Sequence, residues 1–450
     1  MRELTDSGCP WVGKIPENWT VKKVKFLIES GENGMKIGPY GSALKGKTLS
    51  DGPVKIYNQA NLIADDFDFA RHFISEESYK ELQNYTINAG DILFSMMGTI
   101  GKCKIMPDNK PLGIMDSHLL KARLNEEILP RFFVYAFDKD LNPITLEQLI
   151  FKSNGSIMNG LNSTVVKTTE LAIPPISEQH AIVAYLDEKC AAIDESIQKR
   201  KEIIEKLKEY RKAVITRAVT KGLDPNTEMK DSGTHWIGLM PAKWNSIRVK
   251  QACWLKGRIG WDGVKAKEFT DEGPYLITGT DFQEGYINWN TCAHITEERY
   301  NEDELLHIKE GDLLITKDGT IGKLAIVKNC PEKVSLNSGV MIIRSNNTLA
   351  PYKDKFMYYV LSSDEFWDWY NSVKKPDSTI SHLYQNQFYE FRFAYPSIDE
   401  QEKISAYLDE KCRNIDAMIS KQQTIIDKLE EYKKSIIYNA VTGKIDCRTS

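Results

Sequence analysis

Two glycine-rich basic loops hold the residues best equipped for chemistry in this chain. Lys36-Ile37-Gly38-Pro39-Tyr40-Gly41-Ser42-Ala43-Leu44-Lys45-Gly46-Lys47 puts three lysines, a tyrosine and a serine among glycines. Arg258, Trp261, Lys265 and Lys267 form a counterpart in the second half. Ammonium and guanidinium groups neutralise phosphates, while Asn, Ser, Thr and Lys side chains read the edges of bases. Stretches where the two halves match in position but differ in side chain add Asn58, Met97, Thr99, Ser117 and His118 as candidate nucleic-acid contacts, and a polar cluster adds Asn154 and Asn159. In the second half they extend to Thr280, Lys317, Thr320, Asn337, Ser338, Lys374, Lys375 and Ser378. The competing reading of each is a solvated surface loop, and of His118 a hydrogen-bonded structural histidine.

Catalytic and cofactor motifs do not surface. There is no Asn/Asp-Pro-Pro-Tyr/Phe tetrapeptide to hold a flipped base, since Pro174-Pro175 stands between Ile173 and Ile176. Gly41–Thr48 has the Gly-x-x-x-x-Gly-Lys-Thr spacing, but Asp51-Gly52-Pro53 follows where a phosphate-binding loop would open a helix. Pro107-Asp108 and Pro376-Asp377 lack the partner strand of a nuclease. The eight cysteines include no Cys-x-x-Cys pair, which argues against a metal site or a disulfide framework and for a reducing, cytoplasmic compartment. The expectation is a non-catalytic chain without a metal.

The elements that must position those loops are laid out twice. Glu178–Asp224 aligns without gaps on Glu400–Asp446, with roughly 26 of 47 positions identical. Asp6-Ser7-Gly8, Trp11, Gly13, Pro16 and Trp19 answer to Asp231-Ser232-Gly233, Trp236, Gly238, Pro241 and Trp244. Gly90-Asp91-Ile92-Leu93 with Gly98-Thr99-Ile100-Gly101-Lys102 recurs as Gly311-Asp312-Leu313-Leu314 with Gly319-Thr320-Ile321-Gly322-Lys323. Between these anchors the two copies differ strongly.

The shared segments read as long helices, with Ser177 and Asp399 as the expected N-caps. Apolar residues recur at steps of three and four: Ile182, Leu186, Cys190, Ile193, Ile197, Ile204, Leu207, Val214 and Ala218. The second copy runs Ile404, Leu408, Cys412, Ile415, Ile419, Ile426, Leu429, Ile436 and Ala440. That spacing is a coiled-coil seam for core packing or partner docking, interrupted by Arg200 and Gln422. About 43 residues at 1.5 Å each make a rod of roughly 64 Å. The variable halves read as mixed α/β, with strands at Asp91–Ser95 and Leu313–Thr316 and helices over Leu129–Asp138 and Lys355–Asn371.

Composition sets outer bounds. The 450 residues suit two to four domains, and no apolar run is long enough to span a membrane. The net charge of −4 gives no support to nucleic-acid binding, so any positive field must be local or supplied by a partner.

Taken together, Gly38–Ser42, the Gly-Asp-Ile-Leu…Gly-Thr-Ile-Gly turn, Ile173-Pro174-Pro175…Glu178-Gln179 and Ala440–Asp446 resemble the specificity subunits of type I restriction-modification systems over almost the whole chain. The resemblance implies an α+β chain: two globular target-recognition domains separated by two long antiparallel coiled-coil helices in a pseudo-twofold circular arrangement. The expected boundaries are 1–173, a central helix at 174–222, 223–395 and a C-terminal helix at 396–450. It further implies that each domain reads one half of a split site on double-stranded DNA. The helices would set the spacing and dock two methyltransferase subunits, with restriction subunits joining through the complex. S-adenosylmethionine, ATP and Mg would then sit on those partners. Gly260-Trp261-Asp262-Gly263 in place of Gly38-Pro39-Tyr40-Gly41 blocks transfer of any single base contact. The alternative is a coiled-coil scaffold whose two modules bind protein.

Overall fold

The computed structural model describes residues 3–31, 34–97, 101–153, 161–259, 262–346, 350–374 and 382–449. It packs as two units, residues 1–200 with 424–450, and residues 201–423.

The first unit is built on a four-stranded antiparallel sheet in the order Met35–Ile37, Leu119–Ala122, Ile92–Ser95, Cys103–Ile105. All four residues of Ile92–Ser95 are buried, so both faces of this strand are covered. On one face Leu93 and Leu119 pack with Tyr57, Leu62, Phe67 and Met115. On the other, Phe94 meets Phe133 and Phe137 edge-on, from the helix Pro130–Phe137. A smaller sheet orders Phe73–Ile74, Val54–Tyr57 and Gly113–Met115, the last two parallel.

The second unit repeats this plan on different side chains. Its larger sheet runs Cys253–Gly257, Val340–Ser345, Leu313–Thr316, Leu324–Ile326, and its smaller sheet Ala293–His294, Thr270–Ile277, Val334–Leu336. The recurring Gly-Asp turn has a structural task in both. Buried Asp91 takes the Arg123 guanidinium at 2.9 Å and the Asn88 amide at 2.8 Å. Asp312 takes Arg344 at 2.6 Å and the Lys309 amide at 2.7 Å. Each carboxylate therefore closes the turn that delivers the central strand.

The shared helices run Ile176–Lys221 and Ile398–Val441. Their first turns are capped one position or more before the expected residues. The Pro175 carbonyl accepts from Glu178 and Gln179, leaving Ser177 inside the helix. In the second copy Ser397 shares a capping box with Glu400, and Asp399 lies in the first turn. Ile182, Leu186, Cys190, Ile193, Ile197 and Ile204 are buried, as are Ile404, Leu408, Cys412, Ile415 and Ile426. Leu207, Ile419 and Leu429 are half-buried, and Ile215 and Ile437 are fully buried beyond the expected seam. Within the first unit Asp194 pairs with Lys433 at 2.6 Å, and Arg448 lies in the field of Glu178, so the helix segments there run antiparallel.

Each helix is fixed to its module by the same residues. The Gln179 amide is wholly buried, accepting from the Leu129 amide at 2.8 Å and donating to the Glu127 and Pro174 carbonyls at 2.9 Å. Gln401 accepts from Lys353 at 2.9 Å and donates to Pro396 at 3.1 Å. Tyr135 donates to Asp187 at 2.6 Å, and Tyr359 to Asp409 at 2.7 Å. At the far ends, Gly443 packs against Pro16 and Trp19, as Gly222 packs against Pro241 and Trp244, both at positive φ.

The expected helix over Lys355–Asn371 is two helices, Asp354–Ser362 and Asp364–Val373. The break at Ser363 is capped from outside, the Asp364 amide donating to Thr216 Oγ1 at 2.9 Å. Next to it Glu365 is fully buried, with neither carboxylate oxygen in a hydrogen bond of good geometry among the described residues. Burial pushes its carboxyl well up, opposed by the Ala394 amide and the Lys221 ammonium. The unfolded chain loses this proton first as pH rises, so stability falls with increasing pH above the ordinary carboxylate range. Glu365→Gln should therefore raise the melting temperature at neutral pH and flatten its decline between acid and neutral conditions. Thermal denaturation across pH checks this, and an unchanged slope would count against a buried neutral acid.

Candidate nucleic-acid interface

In the first unit the strand ends bring three candidate loops together by backbone contacts. The Gly38 amide donates to the Leu119 carbonyl at 3.0 Å and the Met96 amide to the His118 carbonyl at 3.0 Å. The Leu161 amide in turn donates to Met96 at 2.7 Å. The approach at Gly38 is so close that a Cβ there would lie 1.7 Å from the Asp116 carbonyl oxygen. Asp116 also shapes the turn, accepting from the His118 amide at 2.9 Å and facing its Nδ1 at 3.1 Å. Tyr40, 86% exposed, and Met97, 48% exposed, stand out from this end, with Ser42, Lys45 and His118 also exposed and Ser117 half-buried.

The second unit has the same junction. The Lys317 amide donates to Gly339 at 2.9 Å and the Leu383 amide to Lys317 at 2.8 Å. Thr280, Thr320, Lys265 and Lys267 are exposed, and Ser338 is half-buried. Among the described residues Lys45, Lys265 and Lys267 make no ion pair, so their charge is free for an anionic partner. Lys374 is exposed at the end of Asp364–Val373, its amide donating to the Tyr370 carbonyl and to no group of this junction among the described residues.

Several candidates are engaged elsewhere. Arg258 is 2% exposed, its guanidinium donating to the Leu336 carbonyl at 3.2 Å and to Asp262 at 3.3 Å. It braces the strand end and does not present its charge to solvent. Asn58 caps the helix Gln59–Ala64, accepting from Ala60 at 2.8 Å. Asn337 clamps both backbone groups of Val264 at 2.9 Å. Lys36 lies over the Tyr85 ring at 5.1 Å, and Lys47 pairs with Glu81. Thr99, Asn154, Asn159, Trp261, Lys375 and Ser378 lie outside the described residues.

Two exposed side chains at the second junction escaped the sequence reading: Ile259, 59% exposed, and Tyr384, 52% exposed. With Lys317, Asp318 and His382 they line a cleft of about 380 Å³. Ile259 sits in the basic loop without a polar group of its own, and Tyr384 follows the polar stretch whose last candidate is Ser378. Among the described residues no His, Cys, Asp and Glu group could hold a metal, and no helix is long and apolar enough to cross a membrane.

The family model for the type I restriction modification DNA specificity domain matches the chain twice, over residues 16–207 and 241–431. This chain belongs to that family. Two specificity subunits of named organisms are similar to it along most of its length. The type I restriction enzyme MjaVIII specificity subunit of Methanocaldococcus jannaschii is 21% identical, covering 96% of this chain and 94% of its own. The type I restriction enzyme EcoBI specificity subunit of Escherichia coli is 23% identical over 74% of this chain and 69% of its own. A chain solved in work on complex assembly and conformational transition of the type I R-M system superposes with a TM-score of 0.69. It covers 96% of this chain and 100% of that one at 15% identity, a likeness of fold. The two matched stretches make this a specificity subunit with two DNA specificity domains, one in each repeat.

Gly38→Ala should cost about 1–3 kcal/mol, because its Cβ collides with a backbone carbonyl that cannot swing aside. Gly339→Ala has open space and should be neutral. Denaturant melts of the two variants decide the point, and equal stabilities would contradict the close approach.

Proposed function

We propose that each unit reads one half of a split site on double-stranded DNA through the loops at the end of its larger sheet. The two long helices hold the half-site readers at a fixed spacing and dock two methyltransferase subunits, and restriction subunits join through the complex. The chain itself is non-catalytic, with S-adenosylmethionine, ATP and Mg serving the partners.

One observation carries this reading. The backbone junction Met96–His118 recurs as Lys317–Gly339, yet the side chains it displays are unlike, Met96-Met97 against Lys317-Asp318. Meanwhile the helix attachments through Gln179 and Gln401, and through Tyr135 and Tyr359, repeat residue for residue. A constant frame with exchangeable side chains is what two readers of different sequences need, each positioned alike against a common partner.

Co-expression with a methyltransferase subunit, followed by methylome sequencing, tests it. The expected result is a bipartite motif with a fixed gap that vanishes when this chain is deleted. No chain-dependent motif beside an active methyltransferase would favour the protein-binding scaffold. Deleting one heptad from each long helix should change the gap and leave both half-sites intact. Lys45→Ala, Lys265→Ala and Lys267→Ala should each weaken DNA binding with little change in sequence preference. Each should also lower the salt slope by about 1, read from binding titrations at several salt concentrations.

A further inference from the structure

We infer that Lys317, Asp318 and His382 form a base-reading cluster that selects one G·C pair in the half-site of the second unit, an inference that rests on the DNA-reading function proposed above. His382 Nδ1 lies 2.6 Å from Asp318 Oδ1, and the two residues also form an isolated β-bridge. The Lys317 ammonium stands 3.8 Å from Asp318 Oδ2. Donor and acceptor thus sit side by side in the lining of the cleft, the Lys317 side chain 17% accessible, with Ile259 and Tyr384 exposed beside them. Asp318 remains partly exposed, its side chain 30% accessible.

A carboxylate is an unfavourable group on a surface that meets phosphates. Its tolerated use against DNA is to accept from a base amino group. In the major groove a G·C pair offers two acceptors, guanine N7 and O6, beside one donor, cytosine N4. Lys317 matches the two adjacent acceptors and Asp318 the donor on the opposite base, while an A·T pair puts the adenine N6 donor where the ammonium needs guanine O6, and thymine O4 and its methyl where the carboxylate needs cytosine N4. The backbone leaves little freedom in the choice. Lys317 is held by Gly339 and Leu383, and a Cβ at Gly257 would stand 3.2 Å from the Lys317 Cε, so the lysine stem runs along a surface shaped for it. His382 orients Asp318 and is a positioning residue here. At the matching place the first unit offers Met96 and the exposed Met97, which suit contact with a thymine methyl and supply no charge.

The experiment uses the full chain in complex with its methyltransferase subunit, with methylome sequencing as the readout. Asp318→Asn keeps the shape and removes the carboxylate, and Lys317→Met leaves the Asp318–His382 pair intact. Both should relax the preference at one and the same G·C position of one half-site by about tenfold, leaving the other half-site and the gap unchanged. His382→Gln should give the same relaxation in weaker form. A half-site without any G·C pair, or variants that lower methylation evenly without relaxing any position, would overturn the assignment and leave the cluster as a structural tie. Absence of a motif with the unaltered chain would instead overturn the DNA-reading function itself, so the two failures are distinct.

Discussion

The buried amide of Gln179, and its repeat at Gln401, is the contact on which the rest of this architecture depends. A side-chain amide sealed from water must satisfy both its oxygen and its nitrogen. Gln179 does so with three backbone groups: the Leu129 amide at the N-terminus of a module helix, the Glu127 carbonyl two residues ahead of it, and the Pro174 carbonyl just before the long helix. The direction of the long helix is thereby set relative to the module sheet. The Tyr135–Asp187 and Tyr359–Asp409 bonds repeat the constraint about two turns further along. Removing either glutamine would leave buried backbone donors and acceptors unpaired, a larger loss than the bond itself is worth.

Much of this was legible before any coordinates. The repeat, the long helices and their apolar seam follow from identity and spacing, because a helical period constrains burial over many residues at once. The mixed α/β modules and the strands at Ile92–Ser95 and Leu313–Thr316 were legible for a similar reason, as short apolar runs between glycines. Cap positions were less so. Ser177 and Asp399 have the right chemistry, but Pro175 and Ser397 occupy the geometry.

The grouping of the candidate loops at the sheet ends was legible as a region and not residue by residue. Lysines on the glycine-rich loops remain exposed and, among the described residues, without an ion pair at Lys45, Lys265 and Lys267. Arg258, Asn58 and Asn337 have the side chains of base readers, but the fold supplies each with an internal partner that no local pattern announces. A donor in a sequence names a capacity, and tertiary neighbours decide where it is used. The net charge of −4 likewise conceals where charge is available, since some basic groups, Lys47 with Glu81 among them, are paired within the protein.

The junctions at the sheet ends are tied by main-chain hydrogen bonds, Met96 to His118 and Lys317 to Gly339. Such bonds do not depend on which side chains the residues carry. A substitution there can alter what the surface displays without weakening what holds it in place. The frame and the surface it carries can therefore vary separately, since any side chain but proline's can be exchanged there without losing a hydrogen bond of the junction.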